Sequence, residues 1–127
     1  MKKILVILSL SLFFFSNSNA EEKNNKLDKL FTQLKNTKEL SSAQVIEKEI
    51  WEIWSIHPSD DRRGFRLTEL LTQGTRLMNM GELSKAYKLF TQIIAAEADW
   101  AEAWNKRATV LYLMKQYQSS LDDIKIT

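Results

Sequence analysis

From Leu67 onward the apolar residues fall into two similar series, one following the other. Leu67, Leu70, Leu71, Gly74, Leu77 and Met78 mark one face of a helix running to about Met80, and Ala86, Leu89, Phe90, Ile93 and Ile94 mark a return helix. Ala101, Trp104, Ala108, Leu111 and Tyr112 repeat the first pattern, and Tyr117, Leu121 and Ile124 begin a second return helix. Moved forward by 34 residues, Gly74 falls on Ala108, Leu77 on Leu111, Met80 on Met114, Ala86 on Ser120 and Phe90 on Ile124. Small residues land on small ones and large on large. That period belongs to stacked helix–turn–helix units, so the expected fold is all-α, built from antiparallel helix pairs.

The residues between the stripes set the turns. A glycine inside a helix costs about 1 kcal/mol relative to alanine, so Gly74 implies a partner helix close enough to offset that cost. Gly81 is placed to end the helix in a left-handed conformation. Lys115 stands at the matching turn, where a left-handed residue other than glycine costs about 1 kcal/mol. Ser84 is expected to cap the first return helix, and Asp99 with Glu102 forms an Asp-x-x-Glu capping pattern for the next one.

Upstream, Leu27, Leu30, Phe31 and Leu34 predict a short helix over 27–36. Ser41 with Gln44 forms a capping box for a helix over 42–56, in which Val45, Ile46, Ile50, Trp51, Ile53 and Trp54 make a wide apolar face expected to bury both tryptophans. Pro58 breaks that helix, and Ser59 or Asp60 can cap the following one. Residues 27–127 therefore read as one helical domain, with a first repeat at 67–100 and a second, unfinished one at 101–127. Fewer than two repeats seldom hold themselves together. The two leading helices are expected to stand in for the missing neighbour, through Leu30, Phe31, Leu34, Ile50 and Trp54.

The N-terminus changes the picture of location. Lys2 and Lys3 precede an uncharged, mostly apolar run from Ile4 to Phe15, and Ser18-Asn19-Ala20 follows. This is the pattern of a secretory signal peptide over residues 1–20, cut between Ala20 and Glu21. The run is short of the roughly 20 apolar residues a spanning helix needs, so no stable membrane insertion is expected after cleavage. Residues 21–26 are charged and Asn-rich, and read as a flexible leader. Losing Lys2 and Lys3 reduces the 18 basic residues to 16, equal to the 16 acidic ones. A neutral exported chain is a poor match for nucleic acid.

Candidate chemistry is sparse. The chain has no cysteine, which excludes disulfides, a thiolate metal site and a cysteine nucleophile. Its single histidine, His57, lies beside Asp60 and Asp61 in the break; with no other ligand spaced to join it, it reads as a solvated loop residue. Arg62, Arg63 and Arg66 make a small basic group next to those aspartates and suggest local charge pairing. The pairs Asp60/Asp61 and Asp122/Asp123 are adjacent, so their side chains diverge and do not suit paired acid–base work. No catalytic residue, metal or cofactor is expected; a carboxylate-dependent hydrolase is the disfavoured alternative.

On these residues the chain resembles the tetratricopeptide repeat family. Leu70 and Trp104 fit its fourth position, Gly74 and Ala108 the eighth, Ala86 and Ser120 the twentieth, and Phe90 and Ile124 the twenty-fourth. Ala98 replaces the usual proline; in the second unit Arg107 replaces leucine, Lys115 glycine and Ser120 alanine. Within the family, AEAWNKRATVLYLM and the leading LDKLF and EIWEIW stretches resemble short bacterial envelope proteins. The last unit stops at its twenty-seventh position, as if the chain were cut short.

The resemblance implies that Leu70, Gly74, Leu77, Gly81, Ala86, Phe90, Trp104, Ala108, Leu111, Leu121 and Ile124 pack the repeats. It also implies a concave groove lined by Leu71, Thr75, Met78, Asn79, Asn105, Thr109 and Tyr112. The expected role is a non-catalytic protein-interaction module holding a peptide or partner helix in the periplasm of a Gram-negative-type bacterium. A structural piece of a larger repeat protein, without binding of its own, is the alternative. The Lys/Asn/Arg clamp some relatives use for a C-terminal carboxylate is missing at Leu71, Thr75 and Thr109.

Overall fold

The computed structural model describes residues 15–127, with side chains from Ala20 onward. The signal peptide expected over 1–20 lies largely outside the described residues. Six α-helices are described: α1 (Phe15–Asn36), α2 (Leu40–Trp54), α3 (Arg62–Asn79), α4 (Leu83–Ala96), α5 (Ala101–Leu113) and α6 (Tyr117–Ile126). The chain divides into two compact units, one ending at Ile53 and the other running from Trp54 to Thr127.

In the first unit, α1 takes in residues 21–26, so the expected flexible leader is helical and continues the turns before Leu27. Leu30, Ile50 and Ile53 form a buried cluster, flanked by Leu27, Leu34 and Ile46. Leu30, Leu34 and Ile50, expected to pack on the first repeat, thus have partners within their own helix pair. Phe31 and Trp54 are exposed, as is Trp51 at 44%. The tryptophan-burying face of α2 is therefore corrected: Ile46, Ile50 and Ile53 form the buried line at i, i+4, i+7, and Trp51 lies about 100° round the helix from Ile50. The helix starts at Leu40, where Ala43 N–H donates to the Glu39 carbonyl, so Ser41 is inside it and no capping box forms.

In the second unit, α3 packs against α4, α4 against α5, and α5 against α6, with a smaller contact between α3 and α5. Leu67, Leu71, Ala86, Phe90, Ile93, Ile94, Trp100, Ala103 and Val110 form one core. The stripes of α3 and α4 are as expected from the sequence. Gly74 is a close-approach position: a Cβ there would lie 2.6 Å from Cε1 of Phe90, a ring with no exposed surface. Gly81 has φ of +80° and Lys115 of +63°, so both turns use the left-handed conformation that the 34-residue alignment implies.

Three caps differ from expectation. Asp61, not Ser59 or Asp60, caps α3, accepting from Gly64 N–H at 2.7 Å. Glu82 precedes α4 and Trp100 precedes α5, and neither side chain caps. Ser84 and Asp99 are thus displaced from the cap positions given to them. The entry to α5 is fixed by packing instead, because Trp100 is buried in the core there.

The second repeat packs differently from the first. Ala108 and Leu111 are buried as expected, joined by Ala103 and Val110. On α6, however, Ser120 and Asp123 face α5, while Leu121 and Ile124 are about half exposed. Their assignment to repeat packing is corrected. Ser120 and Asp123 share one face at i, i+3, and each is held by a polar bond to α5. Ser120 Oγ donates to the Ala108 carbonyl at 2.7 Å, and Arg107 grips Asp123 with both arms, at 2.7 and 2.8 Å.

Candidate functional site

The first helices of the two repeats, α3 and α5, touch each other, and the residues expected to line a groove lie along them. Leu71 is removed from that set: it is 1% exposed and belongs to the core, because its side chain turns toward α4. Thr75 is half-buried and returns its hydroxyl to the Leu71 carbonyl at 2.8 Å. Met78 is half-buried against the core. Asn79 is exposed near the C-terminal end of α3.

On α5, Asn105, Thr109 and Tyr112 follow at i, i+4, i+7 and share a face. Thr109 is exposed, with its hydroxyl donating to the Asn105 carbonyl at 3.0 Å. Tyr112 is 62% exposed, and its ring stands 5.4 Å from that of Tyr117 on α6. The accessible part of the face is therefore Asn79, Thr109 and Tyr112, with Thr75, Met78 and Asn105 half-buried beside them.

Two polar residues take roles that the sequence pattern did not show. Glu102 is buried in the first turn of α5, where a carboxylate is favoured by the unpaired N–H groups of the helix start. Its Oε2 accepts from Asn105 Nδ2 at 3.4 Å, and its Oε1 lies 3.4 Å from Lys106 Nζ without a hydrogen bond. Glu102 thereby orients one of the groove amides. Its position one turn before Asn105 is the signal that could have placed it.

The second is Arg107. Its guanidinium lies 4.9 Å from the Trp104 ring and 5.6 Å from that of Tyr87, besides donating to Thr91 Oγ1 at 3.3 Å. The Asp123 hydrogen bonds raise its pKa above the usual arginine value. An arginine where the repeat usually has leucine is explained by this buried pair and the two rings that flatten against it.

His57 is corrected most. It is buried, 7% exposed, and not solvated. Its backbone N–H donates to Thr68 Oγ1 at 2.9 Å, and its ring meets the edge of Trp100 at 5.0 Å between centroids. Glu97, at the end of α4, lies 3.6 Å from Nε2 and is paired with Arg63 at 2.7 Å. Arg63 thus reaches Glu97, 34 residues on, rather than pairing only with the aspartates beside it. A single carboxylate beside one imidazole is not a metal-ligand set, and among the described residues no three His, Asp or Glu side chains gather closely enough to hold an ion.

The chain is similar to a TPR repeat-containing protein of Rhizobium etli, with 30% identity over 100 residues, which is 79% of this chain and 47% of that relative. The chain belongs to the tetratricopeptide repeat family. This match, the six helices and the paired packing agree with the 34-residue period. The chain spans about half the length of that relative. No family model matches the sequence, and no solved structure matches it. Tetratricopeptide repeats are in general protein-interaction modules. No described helix is long and apolar enough to cross a membrane.

Proposed function

We propose that the chain is a non-catalytic interaction module of the cell envelope, which holds an extended peptide or a partner helix along the face shared by α3 and α5. The observation that carries this reading is the adjacency of those helices, with Asn79, Thr109 and Tyr112 accessible on them. Asparagine offers both a donor and an acceptor to a backbone amide, and a tyrosine ring covers apolar side chains while its hydroxyl stays wet. Half-buried Met78 supplies an adaptable floor. Export to the periplasm is part of the proposal and rests on the N-terminal pattern of Lys2, Lys3 and the apolar run before Ala20.

Crosslinking followed by pulldown from a periplasmic extract, with the chain from Glu21 onward as bait, tests both halves. A discrete partner is expected whose recovery falls at least several-fold with Tyr112→Ala and with Asn105→Ala. Equal recovery with both variants, or a native protein in the cytoplasm that retains residues 1–20, would overturn the reading.

A further inference from the structure

Among the buried titratable groups of the described residues, Glu102 serves the groove and Asp123 is held by Arg107, while His57 stands apart from both. Its ring geometry defines a proton position. Nδ1 accepts from the Ser59 N–H at 3.0 Å, so the proton of the neutral ring sits on Nε2, which faces Glu97 at 3.6 Å. The turn that follows is seated tightly: a Cβ on Gly64 would lie 1.9 Å from the Ser59 carbonyl oxygen and 3.0 Å from His57 Nδ1. Asp61 then caps α3. The Nδ1 bond thus closes the turn onto the ring, and the His57 N–H bond to Thr68 fastens the ring's own backbone to α3.

We propose that His57 is a proton-operated latch on this turn, the stretch that joins α2 to the first repeat. A protonated imidazole carries hydrogens on both nitrogens. The new Nδ1–H would then oppose the Ser59 N–H across 3.0 Å, where a hydrogen bond stood. The charged groups facing the ring decide which side gives way. Glu97 from the end of α4 gains an ion-pair partner in the imidazolium, Arg63 from α3 keeps hold of the same carboxylate, and Trp100 closes the remaining edge. The ring is thus held from the repeat side, and the His57 backbone stays fixed to Thr68. The Ser59 amide is the group that is released, and the turn beyond Pro58 loosens from the His57 ring as the medium acidifies. Imidazole is, as a side-chain type, the one whose charge ordinarily changes between about pH 5 and about pH 8, which sets the range over which the latch is examined.

Amide hydrogen exchange and ring-nitrogen shifts of the native chain, followed by NMR from about pH 8 to about pH 5, test this. At the upper end the ring is expected in its Nε2–H form. The Ser59 protection factor is expected to fall roughly three- to tenfold through the His57 titration, the factor for one hydrogen bond of ordinary net strength. Phe90 and Ile93 amides in the core should hold theirs. His57→Asn places an amide oxygen near the Nδ1 position without a titrating proton, and its Ser59 protection should stay flat. Protection at Ser59 that is constant through the wild-type titration, or a neutral ring protonated on Nδ1, overturns the latch. So does an equal fall in His57→Asn.

Discussion

Single residues hold this repeat in place where backbones come close. Gly64 is the tightest, because an added methyl would collide with a backbone carbonyl that cannot rotate away. Gly64→Ala is expected to cost more than about 3 kcal/mol, at or above the upper end of ordinary overpacking, by chemical denaturation. Gly74→Ala meets only a ring and also gains helix propensity of about 1 kcal/mol. Its net cost should be smaller, about 1–2 kcal/mol, and much of it should return in Gly74→Ala combined with Phe90→Leu. Lys115 has φ of +63° in an exposed turn, so Lys115→Gly should stabilise by about 0.5–1 kcal/mol. The roles of Gly74, Gly81 and Lys115 were legible, since the 34-residue spacing sets one repeat on the other. Gly64 and His57 were not: their constraints come from Ser59, Glu97 and Trp100, and no local period brings those together.

At the scale of elements, apolar stripes were readable and helix ends were not. The stripes of α3 and α4 follow from burial, which repeats along the chain. The expected caps at Ser41, Ser84 and Asp99 do not form; before α5, burial of Trp100 sets the start of the helix instead. Asp61, just past the expected Ser59 or Asp60, does form a side-chain cap. Its pKa is lowered chiefly by the Gly64 N–H, with smaller help from Ser59 and the Arg63 N–H and charge. A lowered folded-state pKa means that the stabilisation is present above the ordinary carboxylate range and is lost as pH falls through the lower folded value. Wild-type stability should therefore drop on acidification below about pH 4, and less steeply in Asp61→Asn, which keeps an acceptor for Gly64. The join of α5 to α6 rests on Arg107 and Asp123. Arg107→Leu would leave a buried carboxylate unpaired and should cost about 3–5 kcal/mol, whereas Arg107→Leu with Asp123→Leu should recover most of that. Thermal or denaturant unfolding of the wild type and these two variants reads the difference.

For the whole molecule, the family and the all-α architecture were carried by a periodic signal over half the chain. The leading helices were harder to read, because Trp51, Trp54 and Phe31 look like core residues by composition alone, while Ile46, Ile50 and Ile53 do the packing. Likewise, Leu121 and Ile124 fit a packing pattern that α6 satisfies with Ser120 and Asp123. Groove residues were legible only as a face, since polar surface positions carry no period of their own; Leu71 falls on the core side because the core and groove faces adjoin round one helix, where successive residues are about 100° apart.

The account stands on the face of α3 and α5 being where a partner sits. A photo-crosslinking amino acid can be placed in cells at Asn79 and Thr109 on that face, and at Lys88 and Gln92, exposed on α4. A discrete adduct from Asn79 and Thr109, with little or none from Lys88 and Gln92, is the expected result. Adducts of equal yield from α4, or none from α3 and α5, would contradict it.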